Sequence, residues 1–241
     1  MTEQFSTVNT IAPLSNVVRF TELLEALLSR PPGLPGFGVF YGRAGRGKTF
    51  AATYAINKHR AHYVECGFTW TQTAFCEALM VEIGLLSPRT KLNKKIYQAV
   101  AEIGDYFADN PRRALIIDEA DYLIRRSMIE MVRDIYKHCA PAGASIILIG
   151  EENMPNALKM WERVDSRVLK SSNAAPISGA DIAVLARIIM PGVTVPQDVI
   201  EKLRKSTNGS ARRAVTRLYD LREVANTRDL SEIDLKVLEA A

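Results

Sequence analysis

The chain has 241 residues, with 31 lysines and arginines against 27 aspartates and glutamates, for a net charge of +4. A chain of this length removes about 70% of its surface from water on folding, so a stable core needs neither disulfides nor a structural metal. With 47% hydrophobic and 24% charged residues the composition is that of a globular protein and excludes a disordered or fibrous chain; the mild basicity permits an anionic partner without demanding one.

The opening residues, MTEQFSTVNTIAPLSN, hold no basic region ahead of an apolar run, and no apolar stretch is long enough to cross a bilayer. The expectation is a cytoplasmic protein without membrane contact. Behind Ser15 and Asn16, either of which can cap a helix, Val17, Phe20, Leu23, Leu24, Leu27 and Leu28 recur at helical spacing and predict a helix over 16–29. The segment RPPGLPG breaks it, and the apolar run Phe37 to Tyr41 predicts a buried strand opening into a glycine loop. There follow a helix from Lys48 to Lys58, a strand from Ala61 to Cys66 and a helix from Thr73 to Ile83. After the polar stretch Ser87 to Lys95, a helix carries Ile96, Val100, Ile103 and Phe107 on one stripe. A strand from Ala114 to Asp118, a helix from Ser127 to Cys139, a strand from Ser145 to Gly150, a helix from Pro155 to Glu162 and a last strand near Val168 complete the alternation.

Strands alternating with helices imply an α/β fold with a parallel sheet covered on both faces. Residues 178–241 read as helices only, broken at Pro191, Pro196, Gly209 and Asn226 to Asp229. The expected organisation is therefore an α/β core over 1–176 and a helical lid over 177–241. Cys66, Cys76 and Cys139 are odd in number and lack a Cys-x-x-Cys spacing, and His59, His62 and His138 form no ligand pattern with them. Buried thiols and surface imidazoles are expected.

Gly42-Arg43-Ala44-Gly45-Arg46-Gly47-Lys48-Thr49 is a complete G-x-x-x-x-G-K-[ST] loop between a predicted strand and a predicted helix. Gly42, Gly45 and Gly47 let backbone N–H groups curl around phosphates at a helix N-terminus, Lys48 reaches the β- and γ-phosphates, and the Thr49 hydroxyl ligates Mg²⁺. Ala114-Leu115-Ile116-Ile117-Asp118-Glu119 is an apolar strand ending in two acids, at the edge where open α/β sheets bind ligands. Asp118 suits the Mg²⁺ shell, and Glu119 suits orienting or deprotonating the attacking water.

Together the two motifs resemble the AAA+ ATPases, and the resemblance implies further roles. Leu148 to Pro155 resembles the sensor 1 strand, which makes Asn153 the polar residue near the γ-phosphate; a helix cap is its competing role. Glu151 and Glu152 depart from the small residues usual there. Glu162 to Val168 resembles the segment whose final arginine reaches a neighbouring subunit's nucleotide, with Arg167 the candidate finger and Arg163 the alternate. Gly209 to Ala214 resembles the sensor 2 region, with Arg212 as the nucleotide contact and Arg213 as the alternate. Arginines on a solvated helix are the competing reading for both pairs.

The spacing from the phosphate loop to Ile116-Ile117-Asp118-Glu119-Ala120-Asp121-Tyr122-Leu123, with Ser87-Pro88-Arg89-Thr90-Lys91 between, resembles the MuB-type target-capture ATPases of transposition, with TnsC-type and IstB-type ATPases more distant. Fewer than about forty residues precede the first strand, so the N-terminal helix-turn-helix domain of the MuB type is expected to be absent or supplied elsewhere. No acid occurs from Ile83 to Ala101, while Arg89, Lys91, Lys94 and Lys95 cluster there; upstream stands Phe68-Thr69-Trp70-Thr71. A basic loop with hydroxyls such as Thr71 suits a phosphate backbone without reading bases. The competing reading is a solvated charge run and a core Trp.

The resemblance thus implies an ATP- and Mg²⁺-dependent ATPase that forms a homo-oligomer, as a helical filament, on double-stranded DNA regardless of sequence. It would deliver that DNA to a transposase and disassemble on hydrolysis. A replication helicase loader, or initiator-type ATPase, is the nearest alternative; a nucleotide-dependent binding scaffold with little turnover is another, against which Glu119 argues.

Overall fold

The computed structural model describes residues 14–240. They form two compact units, one of residues 16–176 and one of residues 177–240 together with Leu14 and Ser15. No helix among the described residues is long and apolar enough to cross a membrane.

The larger unit is built on a five-stranded parallel sheet of β1 (Phe37–Tyr41), β2 (His62–Glu65), β3 (Leu115–Asp118), β4 (Ile146–Gly150) and β5 (Val168–Asn173), in the order β2-β3-β4-β1-β5. The central strands β3 and β4 are buried along their whole length, and β1 along all but its last residue, as a sheet covered on both faces requires. The edge strand β5, VLKSSN, is largely polar, and none of its residues is buried.

Helix α1 (Ser15–Leu28) buries Val17, Phe20, Leu23, Leu24 and Leu27, and Phe20 meets Phe40 of β1 edge to face at 5.1 Å between ring centres. The sheet is further covered by α2 (Lys48–His59), α3 (Gln72–Glu82), α4 (Ile96–Asp109), α5 (Asp121–Arg125), α6 (Ile129–Cys139), α7 (Met154–Leu158) and α8 (Glu162–Asp165). In the smaller unit, α9 (Gly179–Ile189), α10 (Gln197–Ser206), α11 (Ala211–Arg228) and α12 (Leu235–Ala240) close around Ile182, Leu203, Leu218 and Leu221. Ser178 and Ser210 cap α9 and α11 by accepting from the N–H groups of Asp181 and Arg213.

Four details differ from the sequence reading. The helix expected over 127–139 forms as α6, but an unexpected short helix, α5, precedes it directly after the acid pair and ends before Ser127, whose φ of 57° is non-helical. The helix expected over 155–162 ends at Leu158, and a separate helix, α8, starts at Glu162 after Trp161, which leaves helical geometry and packs against the core. Helix α11 continues through Asn226 and ends only at Asp229, because Leu221 and Ala225 keep its buried stripe intact. His62 is not a surface imidazole: it is buried, with Nε2 2.9 Å from the Tyr106 hydroxyl. The three cysteines are buried, and burial pushes the thiols of Cys66 and Cys139 up to about 12 and that of Cys76 to about 11, so they stay protonated at neutral pH.

Phe20 contributes a fully buried ring between α1 and β1, so Phe20→Ala should lower unfolding free energy by about 3–5 kcal/mol. Urea denaturation followed by circular dichroism checks this; an unchanged midpoint would show that α1 does not stabilise the sheet.

Candidate functional site

Strand order assembles the site. Because β4 lies between β3 and β1, the carboxyl ends of all three are neighbours, and the residues that follow each strand converge on one edge. After β1 comes the 42–47 loop, after β3 the acids, and after β4 the segment from Glu151 to Asn153. The loop is tied to β4 by the Gly42 N–H donating to the Gly150 carbonyl at 3.2 Å. Gly45 and Gly47 adopt φ of 79° and 81°, a left-handed backbone that a side chain would strain, and α2 begins immediately after them. At Gly150 a Cβ would come within 2.2 Å of Asp121 Oδ2 and 2.3 Å of Met154 Sδ, so any larger residue would have to displace both side chains where these elements meet.

At the centre lies Asp118, 1% exposed. Its Oδ2 accepts from the Thr49 hydroxyl at 2.7 Å and the Tyr63 hydroxyl at 3.0 Å, and its Oδ1 accepts from the Glu119 N–H at 2.8 Å. Burial, then the charge of Asp118, raises the Tyr63 phenol above its ordinary value, so it remains a donor. Lys48 Nζ donates to the carbonyls of Gly42 at 2.7 Å and Arg43 at 3.3 Å. Burial lowers its pKa against the opposing pull of Glu119, Asp118, Asp121 and Glu151. Glu119 sits at φ 52°, a conformation uncommon for a side-chain-bearing residue that costs about 1–3 kcal/mol, and its carboxyl is raised first by burial and then by Asp118.

The Thr49 and Asp118 oxygens are hard donors held together beside the glycine loop. That set suits Mg²⁺, which takes one or two protein oxygens and completes its shell with water and phosphate.

Asn153 is exposed at the start of α7 but makes no capping bond; its Oδ1 accepts from Asn156 Nδ2 at 3.1 Å. The two acids before it are ion-paired, Glu151 with Arg125 at 2.9 Å and Glu152 with Arg43 of the phosphate loop at 2.8 Å. Arg167 lies elsewhere. Its carbonyl accepts from the Phe37 N–H, at the opposite end of β1 from the loop, and its guanidinium folds back on the Arg163 carbonyl. Arg163 is exposed on α8. Arg212 and Arg213 are exposed in the first turn of α11, in the smaller unit.

Arg89, Lys91, Lys94 and Lys95 are all exposed between α3 and the start of α4. The sequence shows no acid in this stretch, yet folding brings Glu102 to 2.6 Å from Lys94 and Glu77 to 4.0 Å from Lys91. Among the described residues no carboxylate lies within 4 Å of Arg89 or Lys95. Thr71 caps α3 by accepting from the Ala74 N–H at 3.3 Å, which leaves its own proton to donate. Trp70 is half-buried, whereas Phe68 is 65% exposed beneath the guanidinium of Arg126, at 5.1 Å from the ring centre.

A family model described as AAA domain matches residues 33–158, from the approach to β1 through the loop, the acids and the end of α7. The chain belongs to the AAA domain family. Members of the family are P-loop NTPases and generally ATPases. No curated protein sequence matches the chain.

Among solved structures, this AAA domain protein is similar to Cdc6p from Pyrobaculum aerophilum, at 16% identity and a TM-score of 0.62 over 90% of this chain and 62% of that one. It is also similar to the Aeropyrum pernix Orc1 protein in complex with DNA, at 20% identity and a TM-score of 0.62 over 93% of this chain and 63% of that one. A third likeness is to the Thermotoga maritima RuvB Holliday junction branch migration motor, at 16% identity and a TM-score of 0.61 over 95% of this chain and 68% of that one. These similarities extend the shared fold past the AAA domain model, and the chain spans less than two thirds of the Cdc6p and Orc1 chains.

The raised Glu119 carboxyl has a consequence for stability. In the folded state it binds its proton more tightly than in the unfolded chain, so the ionised form opposes folding above the folded pKa and the penalty disappears below the ordinary glutamate value. Glu119→Gln should therefore unfold at higher urea than wild type at pH 7 and at the same urea below about pH 4. A variant less stable than wild type at pH 7 would contradict the environment described for Glu119.

Proposed function

We propose that this AAA domain protein is an ATP-dependent DNA-binding ATPase of the MuB type, which oligomerises on double-stranded DNA and delivers it to a transposase. The observation that carries the ATPase part is the convergence of the 42–47 loop, Lys48, Thr49, Asp118 and Glu119 on one sheet edge. Backbone N–H groups around Gly42, Gly45 and Gly47 cradle the phosphates, and Lys48 exchanges the loop carbonyls for phosphate oxygens. Thr49 and Asp118 hold Mg²⁺, which when bound neutralises charge on the phosphoryl oxygens. Glu119 accepts a proton from the attacking water, and Asn153 orients that water from the end of β4.

Arg167 is assigned to a neighbouring subunit's nucleotide. Five strand residues at about 3.3 Å each separate its end of β1 from its own phosphate loop, roughly 16 Å, so it is poorly placed to serve that loop. A site completed in trans requires a homo-oligomer, for which a helical filament is the arrangement proposed. DNA is held by Arg89, Lys91, Lys94, Lys95 and Thr71. Arg89 and Lys95 lead, because Lys94 is partly neutralised by Glu102.

A second reading, a replication initiator or helicase loader, is favoured by the likeness to Cdc6p and to Orc1 in complex with DNA. Co-purification with a transposase supports the first reading and with a helicase the second. A scaffold with negligible turnover is disfavoured by Glu119.

For DNA, the expected result is ATP-dependent, sequence-tolerant binding of duplex, with Glu119→Gln accumulating in the bound state. The double variant Arg89→Ala/Lys95→Ala should keep its ATP affinity, lose DNA affinity, and flatten the slope of log K against log salt by about 0.9 for each phosphate contact removed. Wild-type affinity and slope would reduce the segment to a solvated face.

For the shared site, Arg167→Ala should lower turnover by about 10³-fold. Mixing it with Lys48→Ala subunits should restore part of the activity, since one variant retains a site and the other a finger. Absence of rescue at every ratio, with both variants assembling, would rule out Arg167 in trans.

A further inference from the structure

Among the described residues, Tyr63 is the one side chain bonded to Asp118 that neither phosphate motif contains. It stands on the edge strand β2, where register pairs it with Ile116, two residues before Asp118, so its half-buried ring lies along the same face as the Asp118 carboxylate. Its hydroxyl donates to Asp118 Oδ2 at 3.0 Å, the oxygen that also takes the Thr49 hydroxyl at 2.7 Å. Both lone pairs of Oδ2 are thereby engaged, while Oδ1 is held by the Glu119 N–H.

A carboxylate turns easily about its last torsion, whose energy well is broad. Thr49 gives its one proton to Oδ2 and keeps its lone pairs for a metal, while the Glu119 N–H holds Oδ1 from the adjoining peptide. A third donor, from the edge strand, narrows that freedom further at small entropic cost, since the phenol is rigid and sits on a strand.

We propose that Tyr63 is a positioning residue for the Mg²⁺ of the bound nucleotide, its hydroxyl fixing Asp118 so that Thr49 and Asp118 present their oxygens together. The proposal rests on the reading of Lys48, Thr49 and Asp118 as the nucleotide site. Tyr63 does not touch the phosphates; it acts through Asp118. Its loss therefore spares nucleotide affinity without metal and weakens the response to metal. A tyrosine needed only to fill space would be replaced by phenylalanine without either effect.

The test is a titration of Mg²⁺ into full-length protein with mant-ATP, read by fluorescence, beginning in EDTA. Tyr63→Phe should bind mant-ATP in EDTA as wild type does and need about tenfold more Mg²⁺ to reach half of the metal-dependent tightening. A wild-type Mg²⁺ midpoint overturns the proposal. So does an equal loss of affinity with and without Mg²⁺, or a variant that fails to fold, since either assigns the hydroxyl to the fold. Lys48→Ala is the control for the underlying reading: if it binds mant-ATP as tightly as wild type, the nucleotide site itself is misassigned, a failure distinct from a normal Mg²⁺ midpoint in Tyr63→Phe.

Discussion

A carboxylate buried to 1% exposure is tolerable only if donors replace the water it has lost, and the compensation of Asp118 organises the edge of the sheet around it. Its three donors come from the helix after the phosphate loop, from the edge strand β2, and from the next peptide in its own chain. The last of these has a conformational cost. For the Glu119 N–H to return to Asp118 Oδ1 while the Ala120 N–H reaches the Ile149 carbonyl at 2.9 Å, the chain turns sharply, and Glu119 takes up the left-handed backbone. The solvation of one acid thus fixes the direction in which its neighbour points.

The same edge gathers Asp118, Glu119, Asp121 and Glu151 around one half-buried ammonium, Lys48. Unrelieved, so many acids would repel the phosphates that the loop is shaped to bind. Arg125 and Arg43 draw Glu151 and Glu152 into ion pairs, and the Asp121 carboxylate is occupied by the Glu151 N–H at 2.7 Å. The acids that look out of place before Asn153 in the sequence are therefore partners of basic residues on adjoining segments. Exposed pairs of this kind contribute little to stability, so their weight lies in local charge rather than in holding the fold.

Much of this was legible in the chain because local signals and long-range order agreed. Phe37 to Tyr41 is flanked by glycines and continuously apolar, and its strand begins and ends where those signals place it. The glycine pattern of the phosphate loop encodes its own backbone shape. What was illegible depends on contacts that periodicity does not carry. Helix α5 is five residues long, too short to show a helical repeat. Tyr63 reaches Asp118 only because β2 pairs with β3, and Lys94 meets Glu102 eight positions away because the chain folds back at the start of α4. A stretch without acids in sequence is consequently not a surface without acids in space.

The two ends of β1 carry the last constraint. At its carboxyl end lies the phosphate loop and at its amino end the backbone of Arg167, and no side-chain rotation spans a five-residue strand. On the proposed reading, each subunit offers a nucleotide at one end of β1 and an arginine at the other, and the filament proposed for it uses a head-to-tail contact between copies rather than a two-fold exchange of both. Such a heterologous interface propagates, and the rotation between successive subunits alone decides whether it closes into a ring or continues as a helix. A duplex threaded along that axis would meet the Arg89 to Lys95 segment once per subunit. Contacts too weak to hold one copy would then add over the assembly, making DNA affinity a property of the oligomer and, through the shared nucleotide, of ATP.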